Sequence, residues 1–229
     1  MHKQKWLLID ADDTLWENNV YYEHAFHKFV DLLDHSNLTA RQVRAVLDEI
    51  EIDRIRVNGY GAVNFGRNMQ ACYQTLAEKP VTEQDLDEVM RLAHEILDKP
   101  IQLIEGVTET LTYLSERYHL TLFSKGNPEE QQSKVERSGV AGYFRSCRIV
   151  REKHAAAYLR VVSEHGMKAD STWMVGNSPK SDINPALRAG LGAVLVPHEM
   201  TWSLEHEEVP ATSPRFQIVE QFSDLQRIF

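Results

Sequence analysis

The stretch KWLLIDADDTLWENN, residues 5–19, decides how the rest of the chain is read. Four apolar residues, Trp6 to Ile9, run straight into Asp10, Asp12 and Asp13, with Thr14 close behind. A short continuous apolar run is the pattern of a strand buried on both faces. Carboxylates crowded at its end repel one another, so the position calls for a cation among them. The pattern of apolar run, then small or polar residues, returns at HLTLFSKGNP (119–128), STWMVGNSP (171–179) and GLGAVLVPH (190–198). SCRIV (146–150) reads as a further strand, and RFQIVEQF (215–222) as a short edge strand before a last helix.

Between these runs lie segments with helical spacing: 107–118, 129–139 with Gly139 as C-cap, 154–166 and 181–190. Strands alternating with helices predict βαβ units and a doubly wound, Rossmann-like parallel sheet, an α/β fold. Residues 17–100 break the rhythm. Four amphipathic segments follow one another there, at 20–37, 39–57, 64–79 and 82–97, with Thr39 and Thr82 as N-caps and Asp85 as a reciprocal acid. An all-helical stretch of that length is no simple crossover. The expected division is an α/β core of residues 1–16 and 101–229 with an inserted all-helical cap of residues 17–100.

Thirty-four acids against 25 Lys and Arg give a net charge of −9. That provides no basic field for bulk nucleic-acid binding, though a local basic pocket still suits an anionic substrate. Two distant cysteines, Cys72 and Cys147, predict neither a disulfide framework nor a cysteine zinc site, and the ten histidines form no zinc-binding pair. The apolar run near the start is too short for a signal peptide or membrane span, so the expected setting is the cytoplasm, with no membrane partner.

In a parallel sheet, ligands bind beyond the carboxyl ends of the strands. Asp10 and Asp12, Ser124 and Lys125, and Asn177 and Asp182 fall at such ends, and Lys153 follows SCRIV after a two-residue gap. Carboxylate, carbonyl and amide oxygens are hard ligands that suit Mg²⁺. A carboxylate can attack phosphorus, a second can exchange protons with the leaving oxygen and then with water, and a hydroxyl and a lysine can bind the phosphoryl oxygens.

These residues resemble the signature of the haloacid dehalogenase-like superfamily. DADDT (10–14) is similar to its DxDx[T/V] motif, LFSKGN (122–127) to its second, Lys153 to its third, and VGNSPKSDINPALRAG (175–190) to its fourth. A helical insertion directly after the first motif is the arrangement of members with a helical cap. The resemblance implies Asp10 as nucleophile and metal ligand, and Asp12 as general acid/base and backbone-carbonyl ligand. It implies Ser124 as phosphoryl binder, Lys153 as partner of nucleophile and phosphate, and Asn177 and Asp182 as further ligands of Mg²⁺. The fourth motif commonly begins with Asp, and here it begins with Asn177, which brings an oxygen without a charge. No nearby proline supports Lys153, and Arg151 is its rival.

Retention of Asp12 points to a phosphatase, since release of a halide needs no proton. The expected activity is Mg²⁺-dependent hydrolysis of a small phosphorylated metabolite through an aspartyl-phosphate. The alternatives are a phosphomutase or phosphotransferase on the same site, and a non-catalytic binding protein of the same fold. Lys125 and Asn127, beside Ser124, are candidate substrate contacts. Arg67 is a third, in DRIRVNGYGAVNFGRN (53–68), whose glycines predict a mobile turn that reads the leaving group or is simply solvated. Neither the identity of the metabolite nor the oligomeric state is legible.

Overall fold

A computed structural model of the chain describes residues 5–33, 37–210 and 213–229. The chain divides into two compact units: the residues up to Asn19 together with Ile101–Phe229, and Val20–Pro100.

The first unit is built on six parallel strands, β1 Trp6–Ile9, β2 His119–Lys125, β3 Ser146–Val150, β4 Thr172–Gly176, β5 Gly192–Leu195 and β6 Phe216–Ile218. Their order is β3-β2-β1-β4-β5-β6. The expected doubly wound α/β sheet is therefore present. Its strand order reverses at β1, which pairs with β2 on one side and β4 on the other. That reversal is where a crevice opens beyond the carboxyl ends.

The apolar run of β1 shows why both faces are covered. Leu7 and Ile9 join a buried cluster with residues of α5 (Val107–Ser115) and α6 (Pro128–Arg137). Leu8, pointing the other way, joins Tyr158 and Val161 of α7 (Ala155–Glu164) and Ala186 of α8 (Asn184–Arg188). Each such side chain stabilises the fold by about 2 kcal/mol. A short α9, Leu225–Ile228, packs Leu225 against the first cluster.

The helix expected over 181–190 is shorter than its spacing implies. Residues Pro179–Ile183 form a wide turn in which the Ile183 N–H donates to the Ser178 carbonyl at 3.1 Å, five residues back. Pro185 lacks an N–H and sits in the first turn of α8, where none is needed, so the regular helix starts there afresh.

The second unit contains α1 Asn19–Leu32 from its second residue on, α2 Ala40–Asn58, α3 Ala62–Leu76 and α4 Glu83–Leu97. Of the helix read over 20–37, residues 34–36 lie outside the described residues. Thr39 with Gln42, and Thr82 with Asp85, form reciprocal capping boxes that start α2 and α4. Phe26, Phe29, Leu47, Met69, Val89 and Leu92 fill the core between the helices. Gly66 admits α4 to close range, since a Cβ there would lie 2.7 Å from Met90 Sδ. The turn expected between cap helices is short. Asn64 Nδ2 donates to the carbonyls of Asn58, Gly59 and Tyr60 and ties it shut. Among the described residues no helix is long and apolar enough to cross a membrane.

One buried acid in this unit gives a pH test. Glu51 is buried on α2, and its Oε2 has no hydrogen-bond partner. Burial pushes its carboxyl up to about 8, against the pull of Arg44. The folded state thus keeps a proton that the unfolded chain loses near 4.5. Stability from this group is complete below that pH and is lost as pH rises toward 8. Glu51→Gln should exceed wild type in urea-unfolding stability by on the order of 2 kcal/mol at pH 8–9, and the gap should close toward pH 4.5. A gap independent of pH would contradict the assignment.

Candidate active site

β1 ends in a tight turn that gathers its acids. The Asp10 N–H donates to the Val175 carbonyl at 2.9 Å, so Asp10 lies beside the end of β4. Asp13 adopts φ 57° and accepts from the backbone N–H groups of Asn18 and Asn19. Its carboxylate closes the loop back toward the strand, a structural task. Burial pushes its carboxyl up to about 7, against those two N–H groups.

The centre of the site is one ammonium between two carboxylates. Lys153 Nζ lies 2.5 Å from Asp10 Oδ1 and 2.7 Å from Asp182 Oδ1, and all three side chains are buried. Burial alone would lower the lysine pKa, but Asp10 and Asp182 outweigh it and the net shift is upward. Asp182 is pushed up to about 7 by burial first and the charge of Asp10 second; Lys153 and the Ser178 N–H oppose this. Two carboxylates share one positive charge, so the pocket holds excess negative charge.

Its walls depend on small residues. A Cβ on Gly176 would stand 2.2 Å from Asp182 Oδ2, so only glycine lets the wide turn tuck Asp182 under β4. The Thr14 hydroxyl bridges Asp10 Oδ2 at 3.1 Å and Asn177 Oδ1 at 3.3 Å. Ser178 caps the turn by accepting from the Ser181 N–H. Asn177 and Asp182 thereby reach the same pocket from one strand end.

The other candidates are placed as follows. Ser124, at the end of β2, accepts from Gln131 Nε2 at 2.7 Å. Asp12 lies apart from Lys153, bound by Trp16, Gln131 and Lys134. Lys125 turns to Ser181 and to buried Glu205, at 2.9 and 2.5 Å. Burial would raise the Glu205 carboxyl, and Lys125 with the Ser178 and Ser181 hydroxyls brings it below its ordinary value. Asn127 caps α6 by accepting from the Glu129 and Glu130 N–H groups, which gives its side chain a structural task. Arg67 belongs to the helical unit, where it donates to Asn64 Oδ1 at 3.0 Å. Lys153 contacts Asp10; Arg151 is exposed.

Among the described residues of the α/β unit, two sets of side-chain donors could hold a metal ion. One is the hard-oxygen set of Asp10, Asn177 and Asp182, joined through Lys153 and Thr14. The other, which the sequence reading missed, is Asp13, Glu17 and His198, whose ligand atoms lie within 4.8 Å of one another. In that second set His198 Nδ1 already accepts from the Met200 N–H at 3.2 Å, and the Asp13 oxygens accept two more N–H groups.

This arrangement can be compared with known proteins. Residues 7–196 match the model of the family described as haloacid dehalogenase-like hydrolase. The chain belongs to that family. It is 25% identical to glyceraldehyde 3-phosphate phosphatase of Methanothermobacter thermautotrophicus over 98% of this chain and 99% of that protein. A haloacid dehalogenase-like family hydrolase from Xanthomonas campestris has a similar crystal structure, with TM-score 0.83 and 27% identity over 98% of this chain and 94% of that one. A 2-haloacid dehalogenase from Pseudomonas syringae pv. Tomato shares the fold, with TM-score 0.63 and 19% identity over 98% and 97% of the two chains. Hydrolase chemistry on a Rossmann-like core is thus the common ground.

Proposed function

We propose that this hydrolase is a Mg²⁺-dependent phosphatase of a small phosphorylated metabolite, with Asp10 as the nucleophile. The observation that carries the choice of nucleophile is the difference between two carboxylates on one turn. A carboxylate has about four acceptor sites. Asp12 receives four donated contacts, one from Trp16, one from Gln131 and two from Lys134. Asp10 receives two, from Lys153 and Thr14, which leaves lone pairs for attack.

An Asp10 oxygen attacks phosphorus while the bond to the leaving oxygen breaks. The electron pair stays on that oxygen, which takes a proton from Asp12. Water then attacks phosphorus and gives a proton to Asp12, while the bond from phosphorus to the Asp10 oxygen breaks; Asp10 returns to a carboxylate and inorganic phosphate leaves. Ser124 and Lys153 bind the phosphoryl oxygens. Asp10, Asn177, Asp182 and the Asp12 carbonyl fit Mg²⁺: all are hard oxygen donors, and the two buried carboxylates share a single ammonium. When bound, Mg²⁺ supplies charge that offsets both the carboxylates and the phosphoryl oxygens.

Asp12 also separates this reading from halide release, which needs no proton donor. The test is phosphate release in water from a panel of phosphorylated metabolites, with Mg²⁺ and with a chelator, beside halide release from a 2-haloacid. Phosphate that appears with Mg²⁺, without any acceptor, and no halide supports the reading. Halide release, or phosphate transfer only to an added acceptor, overturns it.

A further inference from the structure

We propose that Gln131 and Lys134 are positioning residues for Asp12, a task no motif assigns to α6. The inference rests on the reading of Asp12 as proton carrier. The two residues lie three apart and therefore on one helix face. α6 is fixed in rotation by the Asn127 cap at one end and by Val135 in the core. Lys134 Nζ lies 2.8 Å from both Asp12 oxygens, and 2.8 Å from Asn18 Oδ1. All three ammonium hydrogens are thus committed. Gln131 is 3% exposed; its Nε2 reaches Asp12 Oδ2 at 2.9 Å, Ser124 Oγ at 2.7 Å and the Lys125 carbonyl at 3.0 Å. Its Oε1 has no partner. A buried amide that leaves its own acceptor unmatched pays a desolvation cost, and three acceptors compete for its two hydrogens. The amide ties the proton carrier to the hydroxyl that is to bind the phosphoryl group.

Lys134 holds both Asp12 oxygens and Asn18 Oδ1 at once, so it fixes the carboxylate in place and in rotation. Trp16 Nε1, at 2.8 Å on Oδ1, stays as the fixed reference point.

The test is a leaving-group series on the full chain with Mg²⁺, from p-nitrophenyl phosphate through phenyl phosphate to glycerol 3-phosphate. Nitrophenolate departs without a proton; an alkoxide does not. Lys134→Met and Gln131→Met should lose on the order of 10- to 100-fold in kcat/KM on glycerol 3-phosphate and far less on p-nitrophenyl phosphate. Lys134→Arg should recover part of the difference. An equal loss across the series overturns the proposal. If wild type hydrolyses no ester, the reading of the reaction fails, and the ¹H–¹⁵N indole signal of Trp16, assigned with Trp16→Phe, still decides the placement. Lys134→Met should shift that signal; an unmoved signal overturns the proposal.

Discussion

Asp10→Asn is expected to abolish phosphate release, with a fall on the order of 10⁴-fold or more, while the chain stays folded. The exchange conserves shape and keeps an oxygen for Lys153, but an amide is a poor nucleophile toward phosphorus. It also removes one of the two negative charges that share Lys153. Burial first, and the charge of Asp10 second, lift the Asp182 carboxyl. Relief of the second should leave the variant at least as stable as wild type in urea above pH 7. Activity lost together with stability would mean that Asp10 is a structural acid. Activity retained would remove it from the reaction.

Lys153→Met should have the largest effect on stability. Lys153 is the shared partner of two buried carboxylates, and it lies 5.5 Å from the centre of the Phe123 ring. Loss of one partner from a buried ionic group typically costs 3–5 kcal/mol, because the remaining charge is left without compensation, and about that loss is expected here at pH 8. The pH dependence follows. Without the ammonium, the Asp182 carboxyl rises further above its unfolded value, so the folded state takes up protons. Stability should therefore recover as pH falls, and the deficit should be smaller at pH 5 than at pH 8. Lys153→Met combined with Asp182→Asn should regain much of the stability and none of the activity. A deficit that is equal at both pH values would contradict the shared-ammonium geometry.

The fold class was legible because its signals are local. Apolar runs such as 6–9 and 172–176 mark strands buried on both faces, and the sheet uses their alternate residues on opposite sides. Thr39 and Thr82 announce helix starts through their own side chains. Strand ends are equally readable, which is why Asp10, Ser124, Asn177 and Asp182 could be named. Other features depend on rotation and distance. Nothing in the sequence tells which face of α6 meets Asp12, more than a hundred residues earlier, so Gln131 and Lys134 were missed. Glu205 was missed because it lies in a single 3₁₀ turn after β5, too short to carry a periodic signal, yet it is tied to Lys125, Ser178 and Ser181. Trp16 is a fully buried core residue whose indole N–H is also a donor to Asp12. The wide turn at Pro179–Ile183 escaped because residues 181–190 have helical spacing, while Pro185 and the space above Gly176 decide the backbone.

Covalent chemistry at Asp10 is the centre of the account, and rapid acid quench during turnover tests it most directly. The enzyme, Mg²⁺ and a hydrolysed substrate are mixed, quenched within one turnover, digested, and the peptide that contains residues 5–19 is weighed. A phosphoryl group on Asp10, present only during turnover and absent from Asp10→Asn, is the predicted result. Steady phosphate release with that peptide unmodified, or with the phosphoryl group on another residue, would contradict it.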